Sequence, residues 1–310
     1  MANTFNAIYK EKLQAGLQKH FEMGSMTGWM EANAKGVDYK GGKKVTMVEI
    51  ATDGMGDYDR QHGYPRGNVT GSKVEYEMTK DRGREFVIDV ADYDETGFLI
   101  TAASVMSEFQ ANHVIPEVDA YRLGQIYALV AAQAAANVKD DAIDPALITD
   151  MLLEDLAIMQ DANGSMPLVI MMSALTQAKF GKEFIRNLNY QDFGGSIKTK
   201  VRVVDGTPLT ILPSARLKSA YTFYDGITAG QEAGGFIAAV GAKDIKWTIV
   251  PQGGPIAVAK IDKIRVFTPD EYQDMHAWKT DYRIFHDIWL PERMAKKSLI
   301  RTGVIETPAV

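Results

Sequence analysis

The chain contains no cysteine, which excludes disulfide bonds, thiol nucleophiles, zinc–thiolate sites and iron–sulfur clusters. Charge of one sign is also not concentrated anywhere. The 34 basic and 40 acidic residues give a formal net charge of −6 without a basic block of the kind that grips nucleic acid. No stretch reaches the roughly 18 uninterrupted apolar residues of a membrane span, and the N-terminus lacks the pattern of a signal peptide. No membrane partner is therefore predicted.

Catalytic signatures are scarce as well. The sequence has no phosphate-binding G-x-x-x-x-G-K-[ST] loop, no H-E-x-x-H zinc helix and no G-x-S-x-G nucleophile elbow. Asp53, Asp57 and Asp59 lie among glycines, but their spacing does not match a calcium-binding loop. The glycine-rich run at 226–235 reads as a flexible loop. We therefore predict a protein that is not an enzyme and that holds neither a cofactor nor a metal.

A mixed α+β protein is predicted from the hydrophobic periodicity. Hydrophobic residues make up 46% of the 310 positions, enough for one large or two modest domains. Residues 4–23 have the apolar spacing of an amphipathic helix, with Phe5, Ile8 and Leu13 on one face. Such a terminal helix can pack on its own core or on a neighbouring subunit, and periodicity favours neither.

Two strands with a long connection come next. Val45 and Met47 alternate with polar residues, and Tyr76 and Met78 repeat the period of two. The connection, Asp53 to Ser72, is rich in glycine and polar residues and far exceeds the about two to five residues that a hairpin turn needs. A long projecting loop with little core of its own is typical of a contact element.

Longer helices follow. The sequence predicts a helical segment over 96–112, a break, and a bracing helix that restarts at Pro116 and runs to about 138. Asp144-Pro145 is predicted to open a further helix that ends at Asn163-Gly164. Strands dominate afterwards, beginning with the apolar run 168–172. Thr268 is predicted to open a late helix, and 282–290 with 298–301 to form a closing hairpin.

Several phrases, taken in order, resemble the major capsid proteins of tailed bacteriophages. None is a catalytic motif, and together they extend over most of the chain. The phrases are Lys80 to Asp89 with Asp92 and Asp94 to Thr96, Glu108-Phe109 with His113 to Arg122, Pro213 to Leu217, Phe267 to Pro269, and Trp278 with Tyr282 to Asp287.

The resemblance implies the Hong Kong 97-like fold. Its expected parts are an N-terminal arm at 1–38, an extended β-hairpin loop at 39–84, a peripheral domain with a spine helix at 85–142 and about 265–310, and an axial domain at 143–264. The family implies a virion protein that assembles in the host cytoplasm through hexamers and pentamers into an icosahedral shell around double-stranded DNA, which it does not bind specifically. Portal, scaffolding and cement proteins are the implied partners. Some relatives begin with a scaffolding domain, whereas here the strands begin near Lys43. The resemblance therefore implies a separate scaffolding protein, or removal of such a domain before this sequence begins, and we expect the former.

Two alternatives remain open. One keeps the fold and makes the chain an encapsulin-like nanocompartment shell. The other, from a different class, is an α/β enzyme in which residues 53–72 form an active-site lid. Particle size separates a shell from an enzyme, and the neighbouring genes separate a phage from an encapsulin.

The resemblance also raises the question of covalent locking, because some relatives join a loop lysine to a neighbour's asparagine. This chain has no lysine from Val45 to Ser72 and no asparagine after Asn189. We therefore expect a non-covalent shell. Four charged loop residues are the predicted contacts to neighbours, together with Phe5, Ile8 and Leu13: Asp57, Asp59, Arg60 and Arg66. Exposed ion pairs of this kind contribute about 0–1 kcal/mol each.

Overall fold

The computed structural model describes residues 24–35, 37–39, 43–91, 102–180, 189–192 and 200–305. Within them the helices are α1 (Ala102–Phe109), α2 (Ile115–Gln133), α3 (Ile148–Asn163), α4 (Ala174–Gln177) and α5 (Glu292–Ala295). The strands are β1 (Asp38–Tyr39), β2 (Lys44–Thr52), β3 (Val69–Glu77), β4 (Lys80–Asp89), β5 (Val138–Lys139), β6 (Leu168–Ser173), β7 (Asn189–Asp192), β8 (Lys200–Val204), β9 (Thr207–Leu212), β10 (Tyr221–Phe223), β11 (Phe236–Ala238), β12 (Trp247–Pro251), β13 (Ile256–Phe267), β14 (Ala277–Trp289) and β15 (Leu299–Arg301). The predicted α+β class is confirmed.

A seven-stranded sheet carries helices on both faces. Its order is β5-β15-β12-β6-β9-β8-β7, with β6 parallel to β9 in the middle. Every residue of β6 is buried. Side chains alternate along a strand, so Val169 and Met171 pack in one core with α2, whereas Ile170 and Met172 pack in a second core with α3. The apolar run at 168–172 is therefore a central strand, as predicted.

The long helix has no break. A π-helical segment, Gln110–Val114, joins α1 directly to α2. Pro116 lies in the first turn of α2. Proline has no N–H to donate to the preceding turn, and a π-helical turn is a common way for a helix to absorb such a local defect. The prediction of a break with a restart at Pro116 is wrong on this point, because the helical path continues through it.

A second sheet, in the order β13-β14-β4, supports the start of this helix. Tyr282 and Ile284 of β14 pack with Met106 and Val118 of α1 and α2. The predicted closing hairpin is wrong, because β14 pairs with β13 and β4 whereas β15 pairs with β12 and β5 in the other sheet. The predicted late helix is a turn instead, in which the Glu271 carboxylate accepts the Thr268 N–H at 2.9 Å.

The predicted long hairpin is present. β2 and β3 pair antiparallel from Lys44↔Glu77 to Thr52↔Val69. Its base is fixed to the second sheet, because Val45 and Met47 pack with Phe285 and Trp289. The outer part of the hairpin extends beyond this core. The division of the chain into an arm, a loop, a peripheral domain and an axial domain stays a prediction.

Candidate contact surfaces

The connection at the end of the hairpin, residues 53–68, has a defined geometry. At its base the Asp53 N–H donates to the Asn68 carbonyl at 3.2 Å, and the Asn68 N–H donates to the Asp53 carboxylate at 2.7 Å. At its far end Asp59 and Gly63 exchange two backbone hydrogen bonds around a tight turn. Gly63 has φ 81°, which favours glycine. The connection is therefore a shaped tip, and we call residues 53–68 the hairpin tip.

Large apolar side chains are exposed to solvent along the tip and the outer hairpin. The exposed fraction reaches 85% for Tyr64 and 105% for Met55. The rings of Tyr58 and Tyr64 pack against each other, with centroids 4.9 Å apart. Ile50 and Val69 are also exposed on the outer strands. Several large exposed apolar side chains on one projecting element mark a protein-interaction site or an aggregation hazard in a lone chain.

The four charged residues predicted as contacts all lie at the tip. Asp57, Arg60 and Arg66 form no ion pair with any other described residue. Asp59 is engaged in its own turn, where its carboxylate accepts the Gln61 N–H at 2.8 Å and lies 2.5 Å from His62 Nδ1. The Gln61 N–H, followed by His62, lowers the pKa of Asp59. Their role in contacts between subunits stays a prediction. Phe5, Ile8 and Leu13 lie outside the described residues.

The joint between the hairpin and the body is a partly buried polar cluster. Asp287 of β14 accepts the Thr79 N–H at 2.8 Å and the Tyr121 hydroxyl at 2.8 Å. The Lys80 ammonium lies 3.3 Å from the centroid of the Phe223 ring. Burial, followed by the nearby Arg82, lowers the pKa of Lys80 to about 8. The joint therefore fixes the direction in which the hairpin leaves the body.

A second buried cluster binds the chain that precedes the hairpin to α2. Asp119 is fully buried and accepts hydrogen bonds from Ser25 Oγ at 2.9 Å, Thr27 Oγ1 at 2.7 Å and Arg216 Nη1 at 3.2 Å. Arg122, one turn later, donates to the Thr27 carbonyl at 3.3 Å. The segment 25–27 is thereby held against the long helix.

The loop at 224–235, between β10 and β11, is held over the second sheet by two arginines of β4. Arg82 donates to the Tyr224 carbonyl at 2.6 Å, and Arg84 donates through both Nη atoms to the Glu232 carbonyl at 3.1 Å. The glycines of this loop allow the close approach. A Cβ on Gly226, which has φ 77°, would lie 3.1 Å from Arg84 Nη1. The predicted flexible loop is thus anchored at two points.

Between this loop and the long helix lies a cleft of about 180 Å³. Apolar side chains such as Phe86 line it together with charged ones, among them Arg82, Arg84, Glu117 and Asp225. His286, which is 2% exposed, also lines it, and its Nδ1 has no hydrogen-bond partner among the described residues. Burial, followed by Arg122, Lys80 and Arg82, holds the pKa of His286 well below its usual value, so the imidazole is neutral.

Sequence reasoning missed the apolar part of the tip and the buried clusters. Two tyrosines and a methionine inside a glycine-rich polar loop were a usable signal, because such residues are seldom left in water without a reason. Asp119 and Asp287 gave no such signal. Their burial depends on segments far away in sequence, which no local pattern reveals.

Within the described residues, no group of three or more His, Asp or Glu side chains could hold a metal ion. Over the same part of the chain, no helix is both long and apolar enough to cross a membrane.

Comparison with known proteins gives structural matches only. No family model matches the chain, and the search of curated proteins finds no relative. Among solved structures, the chain is similar to the capsid of Staphylococcus phage Andhra, with a TM-score of 0.56, 10% identity, and coverage of 91% of this chain and 85% of that one. The mature capsid of bacteriophage PhiM1 matches with a TM-score of 0.54 and 13% identity over 84% and 82% of the two chains. A virus-like particle from Pyrococcus furiosus matches with a TM-score of 0.53 and 10% identity over 94% and 99%.

These matches cover between 84% and 94% of the chain, and the matched structures are two phage capsids and a virus-like particle. The chain has the Hong Kong 97-like capsid fold, as the sequence phrases predicted. At such low identity the likeness establishes the fold, and the function requires its own argument.

Proposed function

We propose that this chain is the major capsid protein of a tailed bacteriophage. It assembles through hexamers and pentamers into the icosahedral shell that encloses the double-stranded DNA genome, and it carries out no catalysis. The observation that carries the proposal is the hairpin, whose base is buried in the body and whose outer half presents Met55, Tyr58 and Tyr64 to water.

Burial energetics support self-association. Each Å² of apolar surface removed from water contributes about 25 cal/mol, so the exposed tip favours a partner that covers it. A repeated shell offers such a partner at every position, because each subunit meets further copies of the same surface. The charges of Asp57, Arg60 and Arg66 would then set the orientation of the contact more than its strength.

The remaining partners follow from the same proposal. A portal at one vertex, a separate scaffolding protein during assembly and a possible cement protein are the expected partners, and assembly takes place in the host cytoplasm. The balanced surface charge, with a net −6 and no basic block, suits a container that must not bind its DNA tightly.

A shell that is not a virion is the second candidate. It is favoured by the match to the Pyrococcus furiosus virus-like particle, which covers 99% of that chain. An enzyme with residues 53–72 as an active-site lid has less support, because none of these residues lines the cleft described above.

Electron microscopy and nucleic-acid analysis of purified particles test the proposal. The chain is produced with its neighbouring genes, and particles are isolated on a gradient after nuclease treatment. Icosahedral particles that contain protected double-stranded DNA support the phage capsid. Particles that contain an enzyme and no DNA support the second candidate, and a small soluble oligomer contradicts both.

A further inference from the structure

The amine of Lys80, at the start of β4, lies in an unusual setting at the hairpin joint. The side chain is half-buried, and its Nζ lies 3.3 Å from the centroid of the Phe223 ring and 5.1 Å from the centroid of the Tyr121 ring. It forms no ion pair and no hydrogen bond with any described residue. A lysine ammonium is strongly hydrated in water, so an ammonium held against two aromatic rings has lost water without gaining an acceptor.

Three elements supply the charged and titratable groups that face this amine. They are Arg82 on β4, Glu117 and Tyr121 on α2, and His286 and Asp287 on β14. The two carboxylates attract the ammonium, but both already have partners. Arg82 Nε donates to Glu117 at 2.6 Å, and the Tyr121 hydroxyl donates to Asp287 at 2.8 Å, while the imidazole of His286 is neutral. Burial, followed by the charge of Arg82, therefore outweighs the attraction and lowers the pKa of the amine to about 8.

This setting activates a lysine as a nucleophile. Desolvation against apolar groups and a neighbouring cation are the two ways in which proteins make a lysine reactive toward carbonyl compounds, and Lys80 has both. At about pH 7.5, roughly a quarter of its side chains carry a free lone pair, against roughly 0.1% for a lysine in water. Deprotonation also removes the attraction to the Phe223 ring, because a cation–π contact requires the charge. The neutral amine is therefore free to turn toward a reagent.

We propose that Lys80 is a modification site, a nucleophilic lysine that forms an imine with a small aromatic aldehyde. The Nζ lone pair adds to the carbonyl carbon, the π electrons of the carbonyl move to its oxygen, and a proton passes from nitrogen to oxygen. The carbinolamine then loses water, with the second N–H proton, and a C=N bond remains, so no oxidant or reductant is required. The rings of Tyr121 and Phe223 favour an aromatic aldehyde, because ring contacts add to the burial of its apolar surface.

Trapping of the imine tests the proposal on the wild-type chain. Purified subunits are treated at about pH 7.5 with limiting benzaldehyde and with sodium cyanoborohydride, which reduces the imine to a stable N-benzyl lysine, and mass spectrometry of peptides gives the rate at each lysine. The reference is Lys73, which is exposed on β3 and forms no ion pair with any described residue. We expect Lys80 to react at least about tenfold faster, less than the ratio of lone pairs because a weaker base is also a weaker nucleophile. Equal or slower labelling of Lys80 would overturn the proposal.

The pH profile and two matched variants separate activation from mere accessibility. As pH rises from about 7.5 to about 9.5, the ratio of the Lys80 rate to the Lys73 rate should fall severalfold, because Lys80 has already lost its proton in this range. Arg82→Gln removes the neighbouring cation and frees Glu117 to attract the ammonium, so the ratio at about pH 7.5 should also fall severalfold. Arg84→Gln is the control, since Arg84 also anchors the loop at 224–235, and it should leave the ratio unchanged. A ratio that is constant with pH and insensitive to Arg82→Gln would assign the labelling to exposure alone and overturn the proposal.

An adduct at Lys80 adds bulk between β4 and the Phe223 ring, where the hairpin joins the body. We expect benzylated wild-type subunits to lose most of their assembly relative to untreated ones, a consequence that rests on the proposed shell function. Lys80→Arg keeps the charge and offers no reactive amine, so the same treatment should leave its assembly unchanged and controls for labelling elsewhere. Normal assembly of subunits labelled at Lys80 would overturn this consequence. If the wild type forms shells but Lys80 is not labelled, the inference fails and the proposed function stands. If no shell forms under any condition, the proposed function fails, and the labelling rates alone decide the inference.

Discussion

Arg301 near the C-terminus forms a two-pronged salt bridge with Asp155 in the middle of α3, with Nε 2.7 Å from Oδ2 and Nη2 2.9 Å from Oδ1. Lys139 and the indole of Trp247 donate to the same carboxylate at 2.7 and 3.0 Å. Asp155 is completely buried. One carboxylate therefore connects α3 to three neighbouring strands of the seven-stranded sheet.

Removing this carboxylate should destabilise the subunit strongly. Asp155→Ala leaves the buried guanidinium of Arg301 with only the exposed Asp141 carboxylate, 3.7 Å from its Nη1. The loss of one member of a buried pair costs about 3–5 kcal/mol. Urea unfolding of the isolated subunit measures the change in the free energy of unfolding. The control is Glu154→Ala, which removes an exposed carboxylate one position earlier and should cost less than about 0.5 kcal/mol. Equal effects of the two variants would contradict the prediction.

Asp119 should determine how tightly the segment 25–27 is held. Asp119→Ala removes the acceptor for Ser25, Thr27 and Arg216, so the backbone of this segment should open more often. Hydrogen exchange resolved by peptide should show faster exchange at 24–34 than in the wild type. Thr27→Val, which loses only one hydroxyl donor, should give a smaller increase in the same peptides. Unchanged exchange at 24–34 in Asp119→Ala would show that other contacts hold the segment.

The lowered pKa of Lys80 predicts a rise in stability with pH. The pKa is about 8 in the folded protein and 10.5 for a lysine side chain in water, so between these values the unfolded chain holds more protons. The free energy of unfolding should therefore increase as pH rises above about 8, because folding then no longer buries a charge. Unfolding between pH 7.5 and about 9.5, below the ionisation of tyrosine in the unfolded chain, measures the slope. Lys80→Met keeps an apolar stem beside Phe223 and should flatten the dependence of the free energy of unfolding on pH. An unchanged slope would assign the effect to other groups.

Shortening the hairpin should separate folding from assembly. Thr52 and Val69 are paired across the strands, so residues 53–68 can be replaced by Asn-Gly, which suits a two-residue hairpin turn. We expect a folded subunit whose stability changes by less than about 1 kcal/mol, since the tip adds little to the core. Shell formation should be lost, as measured by gradient sedimentation. Normal particles from this variant would show that assembly does not depend on the hairpin tip.

The shell should contain no covalent cross-links. No lysine lies between Val45 and Ser72, and the nearby Lys44 pairs with Glu75 at 3.6 Å at the hairpin base. Mature particles boiled in detergent should therefore give one band near 34.2 kDa on a denaturing gel. A ladder of multimers would refute this expectation and direct attention to lysines elsewhere in the chain.

Local pattern determined much of the secondary structure. The period of two at Val45 and Tyr76 predicted β2 and β3, and the apolar run at 168–172 predicted a central strand. These predictions hold because strand periodicity and continuous burial are properties of neighbouring residues. Ser173 caps α4 through an equally local contact, because its hydroxyl accepts the Thr176 N–H at 3.1 Å.

Only the tertiary structure decided which strands pair and which polar groups are buried. β14 and β15 are close in sequence, yet they belong to different sheets, because each forms its backbone hydrogen bonds with strands from distant parts of the chain. The same distance in sequence conceals the partners of Asp119, which lie more than ninety residues earlier or later. The sequence predicted that the tip would be a contact element and named its charges. The exposure of Tyr64 and the unpaired nitrogen of His286 become visible only once the chain is folded, because burial depends on every segment that packs around a site.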